Sequence, residues 1–453
     1  MNLTKKLFTF LIIASAFAFV GCGDDEPCDG KECAAGEMLD EDTCNCVSTA
    51  PCDGKTCEAG EMLNEDTCEC EEQEGNVDVN ANITSDVTWT ADNVYRLLGR
   101  ITVEDGACLT IEPGTVIKGA SGTEANSTAL LVARGGQLKA NGTAALPIIF
   151  TADADDITPA MVAAGNYSSP NLQPTVNGLW GGVIILGRAP ISAQNENDEN
   201  VSELQIEGIP TSDSNGLYGG NDPADNSGSI TYVSIRHGGT NIGDGNEING
   251  LTLGGVGSGT TISHVEVVAN QDDGIEWFGG TVSASNILVW NCGDDGLDTD
   301  QAWNGTCDNW VVVTPTGGSA MELDGPEGDL TQGTNQFNNG TIYAGSVIDH
   351  LIDWDDNTNS GVSNTYFFGI DPGYNSAGTE SPIETYGGDG TGDNTGWEYT
   401  LPASVNVDNI FTDGTPAGVI SEVAENANTV GADASVFTWT WARHSGALSG
   451  IGL

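Results

Sequence analysis

Basic residues are scarce in this chain: 12 lysines and arginines stand against 66 aspartates and glutamates, a formal charge of −54 over 453 residues. Such a chain has no basic groove for nucleic acid and no polybasic patch for anionic lipid, so both drop out as partners. A field of that sign favours divalent cations or cationic polymers, although most of the acids also serve an exported protein simply as solubilising charge. Histidine is rarer still, and His237, His264, His350 and His444 are too scattered in sequence for a metal cluster. Beyond residue 20 no stretch holds 18 consecutive apolar residues, so no spanning helix is expected. Helical periodicity is missing too, apart from a short run at Val419 to Ala427. No Ser-His-Asp arrangement, phosphate-cradling loop or nucleotide fingerprint stands out. What the chain has in quantity is glycine, 62 residues, with Asn, Asp, Thr and β-branched residues between them.

The first 21 residues read as a targeting segment. Lys5 and Lys6 precede an apolar run from Leu7 to Val20, too short to span a bilayer. The run ends Phe19-Val20-Gly21-Cys22, which resembles a lipobox and implies that Cys22 is lipidated and becomes the new N-terminus. The acidic cluster Gly23-Asp24-Asp25-Glu26 resembles the export signal of lipoproteins sent to the outer face of a bacterial outer membrane. The expected address is therefore the cell surface, with the lipid as anchor in the membrane.

Residues 22–75 contain an internal repeat. Cys28, Cys33, Cys44 and Cys46 recur, shifted by 24, as Cys52, Cys57, Cys68 and Cys70, and the words Pro-Cys-Asp-Gly-Lys and Ala-Gly-Glu-Met-Leu recur with them. Each module has almost no apolar content, so it needs staples to hold a shape, and an oxidising compartment makes those staples disulfides. Four cysteines allow three connectivities, among which sequence cannot choose. The Cys-x4-Cys and Cys-x-Cys spacings fit zinc sites poorly. The modules resemble small EGF-like domains and are expected to form a stalk.

From residue 76 to 399 the chain consists of short β-branched runs bounded by Gly, Asn, Asp or Pro, such as Gly182 to Leu186, Ile230 to Ile235, Ile262 to Val267 and Asn286 to Trp290. The fold class is all-β. Three acidic turns recur within it: Gln271-Asp272-Asp273-Gly274-Ile275-Glu276, Gly293-Asp294-Asp295-Gly296-Leu297-Asp298, and Ser319-Ala320-Met321-Glu322-Leu323-Asp324. Glu276, Asp298 and Glu322 are 22 and 24 residues apart, the period of a solenoid in which each repeat is one coil. Ile230, Ile262 and Asn286 are expected to begin equivalent strands, with second strands starting at Leu251, Ile275 and Leu297. Two strands per repeat in constant order predict a right-handed parallel β-helix, with Ile275, Leu297 and Met321 inward and the acids outward. Residues 400–453 lose this register and are expected to close the open end.

The words Leu109-Thr110-Ile111-Glu112-Pro113-Gly114-Thr115, Trp180-Gly181-Gly182-Val183-Ile184-Ile185-Leu186-Gly187, Asn249-Gly250-Leu251-Thr252-Leu253-Gly254-Gly255 and Asp272 to Gly280 resemble those of exported bacterial surface lipoproteins built on a pectate-lyase-like β-helix. That resemblance implies a fold and a surface address; the group has no established activity to carry over.

The chemistry expected of the domain centres on the carboxylates. A Ca²⁺ ion takes six to eight oxygens, and Asp272, Asp273, Glu276, Asp294, Asp295, Asp298, Asp300, Glu322 and Asp324 could supply them from adjacent coils. A duller reading makes Asp-Asp-Gly ordinary turn chemistry, in which Asp caps its own backbone and Gly turns left-handed. The same acids admit an enzyme of acidic polysaccharides: Gln271-Asp272-Asp273 resembles a polygalacturonase motif, and Arg236-His237-Gly238-Gly239 resembles its Gly-His-Gly. Here, however, the histidine precedes the aspartates, and no Arg-x-Lys follows. Arg236 is the one basic candidate in the central coils for binding an acidic ligand. Trp277 and Trp290 are expected in the core, whereas Trp303 is the best candidate for an exposed sugar-stacking platform. Cys292 and Cys307 flank its loop and are expected to form a disulfide. The function expected is a lipid-anchored β-helix that binds divalent cation and presents a wall to an extracellular polysaccharide or surface protein. The alternative is a polysaccharide lyase or hydrolase.

Overall fold

The computed structural model describes residues 75–453 except 124–125, 242–246, 314–316, 332, 346–349, 356, 373–382, 384–391, 412–414 and 417, with four short strands N-terminal to them. The chain divides into two units, Met1–Gln73 and Glu74–Leu453. In the first, Glu37–Asp40 pairs antiparallel with Asn45–Ser48, and Glu61–Asn64 pairs with Glu69–Glu72. Leu39 faces Cys46 and Leu63 faces Cys70, so the 24-residue repeat produces one hairpin twice. The expectations for Cys22 and for pairing of the eight repeat cysteines fall on residues or side chains outside those described.

In the second unit the β-branched runs stack as parallel strands. One sheet has eight short strands in the order Arg100–Val103, Ala129–Val132, Val183–Leu186, Leu251–Gly254, Ile275–Phe278, Leu297–Asp300, Met321–Leu323 and Asp353–Trp354. A second sheet is formed by long strands, Gly228–Arg236, Thr261–Val268, Ala284–Trp290, Thr306–Val313 and Asn335–Tyr343, each parallel to the last. Alternation of the two sheets along the chain makes a parallel β-helix, with the right-handed crossover normal for parallel connections.

Each long strand turns a corner. Tyr232, His264, Asn286, Asn309 and Asn339 have φ between 52° and 59° and fall at one register position, interrupting the ladder between its two halves. Asparagine tolerates the left-handed region better than most residues. Its amides also bond along the column, Asn309 Nδ2 donating to Asn286 Oδ1 at 2.7 Å. The earlier coils make this corner with two separate strands: Gln137–Asn141 pairs with the start of Gly228–Arg236 and Ile148–Ala152 with its end. Asn286 is thus a corner residue equivalent to His264. The strand that carries it begins at Ala284, opposite Ile262, two positions earlier than the sequence reading placed it.

Inside the column Ile, Val and Leu stack coil on coil, and larger rings fill the centre: Trp277 lies on Trp303 at 4.8 Å, with Phe337 against both. Burial of such rings is a large part of what holds a coil in place, at about 1.5–3 kcal/mol for each large apolar side chain.

The C-terminal segment does two things where the sequence suggested one. Trp397–Tyr399 and Ile420–Glu422 extend the long-strand sheet, and Val405, Ile410 and Phe411 join the core. The last residues then turn back along the side. Phe437, Trp441, Ala442 and Leu448 pack on Val268, Leu288, Trp290, Val311 and Val313. Those five sit on the outer face of the long strands, and an apolar outer face must be covered. The short run of helical periodicity at Val419 to Ala427 forms no helix: the segment contains the strand Ile420–Glu422, and helices of four residues occur later, at Trp441–His444 and Ala447–Gly450.

Candidate functional site: an acidic row where the apolar cover stops

The outer face of the short-strand sheet changes character along one row. Leu131, Ile184, Thr252, Glu276, Asp298, Glu322 and Asp353 occupy the same position on successive strands. The apolar half is covered by a segment that leaves the column after Leu186, whose Ile191, Ile206, Ile209 and Tyr218 pack on Leu131 and Ile184. Glu276, Asp298 and Glu322 begin where this cover ends. They point away from the core as expected, yet Glu276 and Asp298 are only 7% and 8% exposed.

A second row comes from the turns before these strands. Asn249, Asp273, Asp295 and Ser319 are equivalent in successive coils. Asp273 Oδ1 accepts the N–H of Asp295 at 2.9 Å, and Asp295 Oδ1 accepts the N–H of Ser319 at 2.5 Å. The turn aspartates therefore cap the next coil and not their own. The following glycines serve close packing: a Cβ on Gly274 would stand 2.5 Å from the carbonyl of Gly296 and 2.6 Å from Val289, and neither Gly274 nor Gly296 has a positive φ.

These turns and strands bring five of the nine proposed ligands into two groups that share Asp273. Ligand oxygens of Asp273, Glu276 and Asp298 lie within 4.8 Å of one another, as do those of Asp272, Asp273 and Asp294. Asp295 borders both through its hydrogen bonds and Glu322 adjoins Asp298, while Asp300 lies at the far end of its strand and Asp324 just past the end of Met321–Leu323. Among the described residues, Asp273, Glu276 and Asp298 form no ion pair with Lys, Arg or His. Burial, reinforced by the neighbouring acids, raises the carboxyls of all three well above their ordinary values. The same causes raise Asp272 to about 7, Asp300 to about 8, Glu322 to about 9 and Asp324 to about 6. Asp298 Oδ1 is buried without a hydrogen-bond partner. Asn249 donates through Nδ2 to Glu276, and its buried Oδ1 also has no partner. The arrangement can hold protons between paired carboxylates or a cation among them.

Asn249 and Asp353 were missed by sequence reasoning, although extending the repeat one coil each way would have found them. Glu207 and Glu247, which add to the field at Asp272, come from outside the repeat and have no such signal.

Two expected ligand-binding residues are elsewhere. Trp303 is 1% exposed; its indole N–H donates to Val282 O at 2.9 Å and its ring lies on Trp277, so it is core and not a platform. Arg236 is on the outer face of the long strands beneath the C-terminal segment. Its Nε donates to Ser234 Oγ at 2.7 Å, its Nη2 is 3.7 Å from Glu266, and its guanidinium stands 5.0 Å over Trp441. It cannot meet a ligand at the acidic row. Cys292 and Cys307 are both buried and not joined by a disulfide. Cys307 is opposite Ala284, at the start of the strand that Cys292 follows, so a whole strand separates them.

Stacked parallel sheets alternating around a filled core, with acids on one outer face, define a parallel β-helix protein. Residues 81–363 match the family model of the pectate-lyase-like β-helix domain, and the chain belongs to that family. No curated protein and no solved structure matches it. The family's fold is compatible with glycan binding or with polysaccharide degradation.

Proposed function

We propose that this protein is a surface-exposed, lipid-anchored β-helix that binds a divalent cation, Ca²⁺ first, at Asp273, Glu276 and Asp298, and presents the adjoining wall to a glycan or surface partner. The observation that carries the reading is the burial of three carboxylates within 4.8 Å of each other, one oxygen of Asp298 having no hydrogen-bond partner. Buried like charges without a cation must be protonated to coexist. Three carboxylates offer up to six oxygens, and Asn249 Oδ1 and water can complete the six to eight that Ca²⁺ takes. Asp272 and Asp294 would extend the seat toward solvent through the shared Asp273. The anchor at Cys22 and the outer-membrane address rest on the N-terminal sequence. Calorimetry in Ca²⁺ and in EGTA tests the cation: a melting temperature raised by Ca²⁺ in the wild type, and unmoved in Glu276→Gln/Asp298→Asn, is expected. No shift in the wild type removes the proposal.

The second reading, a hydrolase of polysaccharide, draws on the raised carboxyls, which suit a general acid at neutral pH. A lyase is the weaker form, since burial of Arg236 takes away its one basic candidate. Incubation with polyuronates, reading reducing ends and new double bonds, separates these: turnover lost in Asp273→Asn would put the enzyme ahead of the binder.

A further inference from the structure

His237 is a buried titratable group on the opposite side of the column from the acidic row. It follows the strand Gly228–Arg236 in a left-handed turn, φ 61°, fully buried beneath the C-terminal segment, its ring 5.4 Å from that of Trp441. Nδ1 bonds the carbonyl of Val176, which can only accept, so the ring proton sits there and Nε2 keeps its lone pair. Nε2 has no hydrogen-bond partner, nor have Nη1 and Nη2 of Arg236, whose guanidinium stands over the same Trp441. The charged groups nearest His237 are Arg236 beside it, Asp155 after the strand Ile148–Ala152, and Glu266 on the next long strand. Asp155 is occupied by Thr151, Ser169 and the N–H of Ile157, with Lys118 bonded to its carbonyl. Glu266 is occupied by Ser234 and the N–H of Ala442. On the C-terminal segment Arg443 turns to the carbonyls of Ala434 and Leu453, and His444 to the ring of Tyr167. A proton added to Nε2 would therefore be buried without an acceptor and beside a second cation. Burial accordingly holds His237 below its ordinary value, against the Val176 bond and Asp155, which favour the charged form.

The cover over His237 is also the part of the domain most lightly tied. Residues 434–453 add no strand to either sheet. Among the described residues one hydrogen bond joins them to the column, from the N–H of Ala442 to Glu266 Oε1 at 2.9 Å. The remaining hold is side-chain packing, led by Phe437, Trp441 and Leu448. Lifting Trp441 would let water reach Nε2 without breaking a ladder bond.

We propose that His237 makes the C-terminal segment an acid-released strap: protonation of Nε2 frees residues 434–453 from the outer face and uncovers the apolar strip of Val268, Leu288, Trp290, Val311 and Val313. The sign follows from linkage. A histidine held below its unfolded value of about 6.5 adds stability that is complete above that pH and lost as pH falls through the folded value. Acid acts oppositely on the carboxyl row, whose raised values favour the protonated fold, so the strap loosens while the column does not. Nothing in this device requires a cation at Asp273.

The test is hydrogen exchange of the full chain by mass spectrometry from neutral pH down to about pH 5, corrected for intrinsic rates. Peptides from 434–453 should lose protection by up to about tenfold per pH unit below the folded value, the slope of one proton. Peptides from Thr261–Val268 and Ala284–Trp290 should keep theirs. His237→Asn stays neutral and tolerates the left-handed turn, so its strap protection should be flat with pH. Trp441→Ala should leave the segment exchanging fast at every pH, which shows that release is visible. A readout free of any variant is the Cε1 signal of His237 in the histidine-labelled chain, whose titration midpoint should coincide with that of the exchange. Strap protection unchanged by acid, an equal acid response in His237→Asn, loss of protection across the column at the same pH, or midpoints more than about one pH unit apart would each overturn the proposal.

Discussion

Glu276 and Asp298 stand opposite one another on adjacent parallel strands, flanked on each strand by inward-facing neighbours, Ile275 and Trp277 on one and Leu297 and Thr299 on the other. Two carboxylates so placed, with Asp273 beside them, cannot all be ionised without an external cation. The region is thus held by protons or by metal, and the two compete.

That competition fixes the pH dependence. Asp272, Asp300, Glu322 and Asp324 have folded-state values raised to between about 6 and about 9, so the folded chain holds more protons than the unfolded one at neutral pH. Their contribution to stability is complete below about pH 4 and is lost as pH rises through about 9. In EGTA the melting temperature should fall from pH 5 to pH 9, and Glu276→Gln/Asp298→Asn should flatten the fall. Saturating Ca²⁺ should flatten it in the wild type. A metal-free melting temperature that rises over this range would contradict the protonated row.

The corner residues give a prediction independent of the site. Asn309 has φ 59° and bonds both Asn286 and the N–H of Asp433. Asn309→Ala should cost about 2–3 kcal/mol, from roughly 1–2 for the left-handed backbone and about 1 for the hydrogen bonds. Asn309→Gly should cost less, since it removes only the bonds. Urea denaturation midpoints of the two variants give the comparison, and equal losses would show that the backbone term is absent.

Beneath the C-terminal segment, Arg236 and Glu266 form an ion pair with both side chains fully buried, and Glu266 Oε1 accepts the N–H of Ala442 at 2.9 Å. Removing one partner strands the other charge: Arg236→Ala should cost about 3–5 kcal/mol, whereas Arg236→Met/Glu266→Gln should recover most of it. Trp441→Ala should also cost about 3–5 kcal/mol and expose Trp290, visible as a red-shifted fluorescence. A double variant no better than the single would place the loss in packing alone.

Cysteine chemistry separates the thiols. Burial raises Cys292 and Cys307, while Cys108 is half-buried. Alkylation of the native chain followed by peptide mapping should label Cys108 first and the other two only on unfolding. A peptide joining Cys292 to Cys307 would contradict the fold described.

The coil period was legible because matching side chains must stack: Leu251, Ile275 and Leu297 were read as equivalent and are hydrogen-bonded neighbours in register. The acidic file was legible for the same reason. The corner was not, because Asn286 reads as a strand-opening residue unless one knows that the strand bends there, which shifted one strand by two positions. Burial of Glu276 was also hidden. The repeat fixes which way the side chain points and not how deeply its neighbours enclose it. Trp303 and Arg236 failed as ligand residues for a related reason: a loop tryptophan and a strand arginine both look exposed until the core and the C-terminal segment claim them.

The bend that each coil supplies for itself has one more consequence. Since the corners at Tyr232, His264, Asn286, Asn309 and Asn339 each lie within their own long strand, a duplicated stretch of sequence the length of one turn would arrive with its own hinge residue and its own outward acid. Growth of the column by whole turns would then change the reach of the molecule and its number of carboxylates in equal steps, leaving both ends as they are.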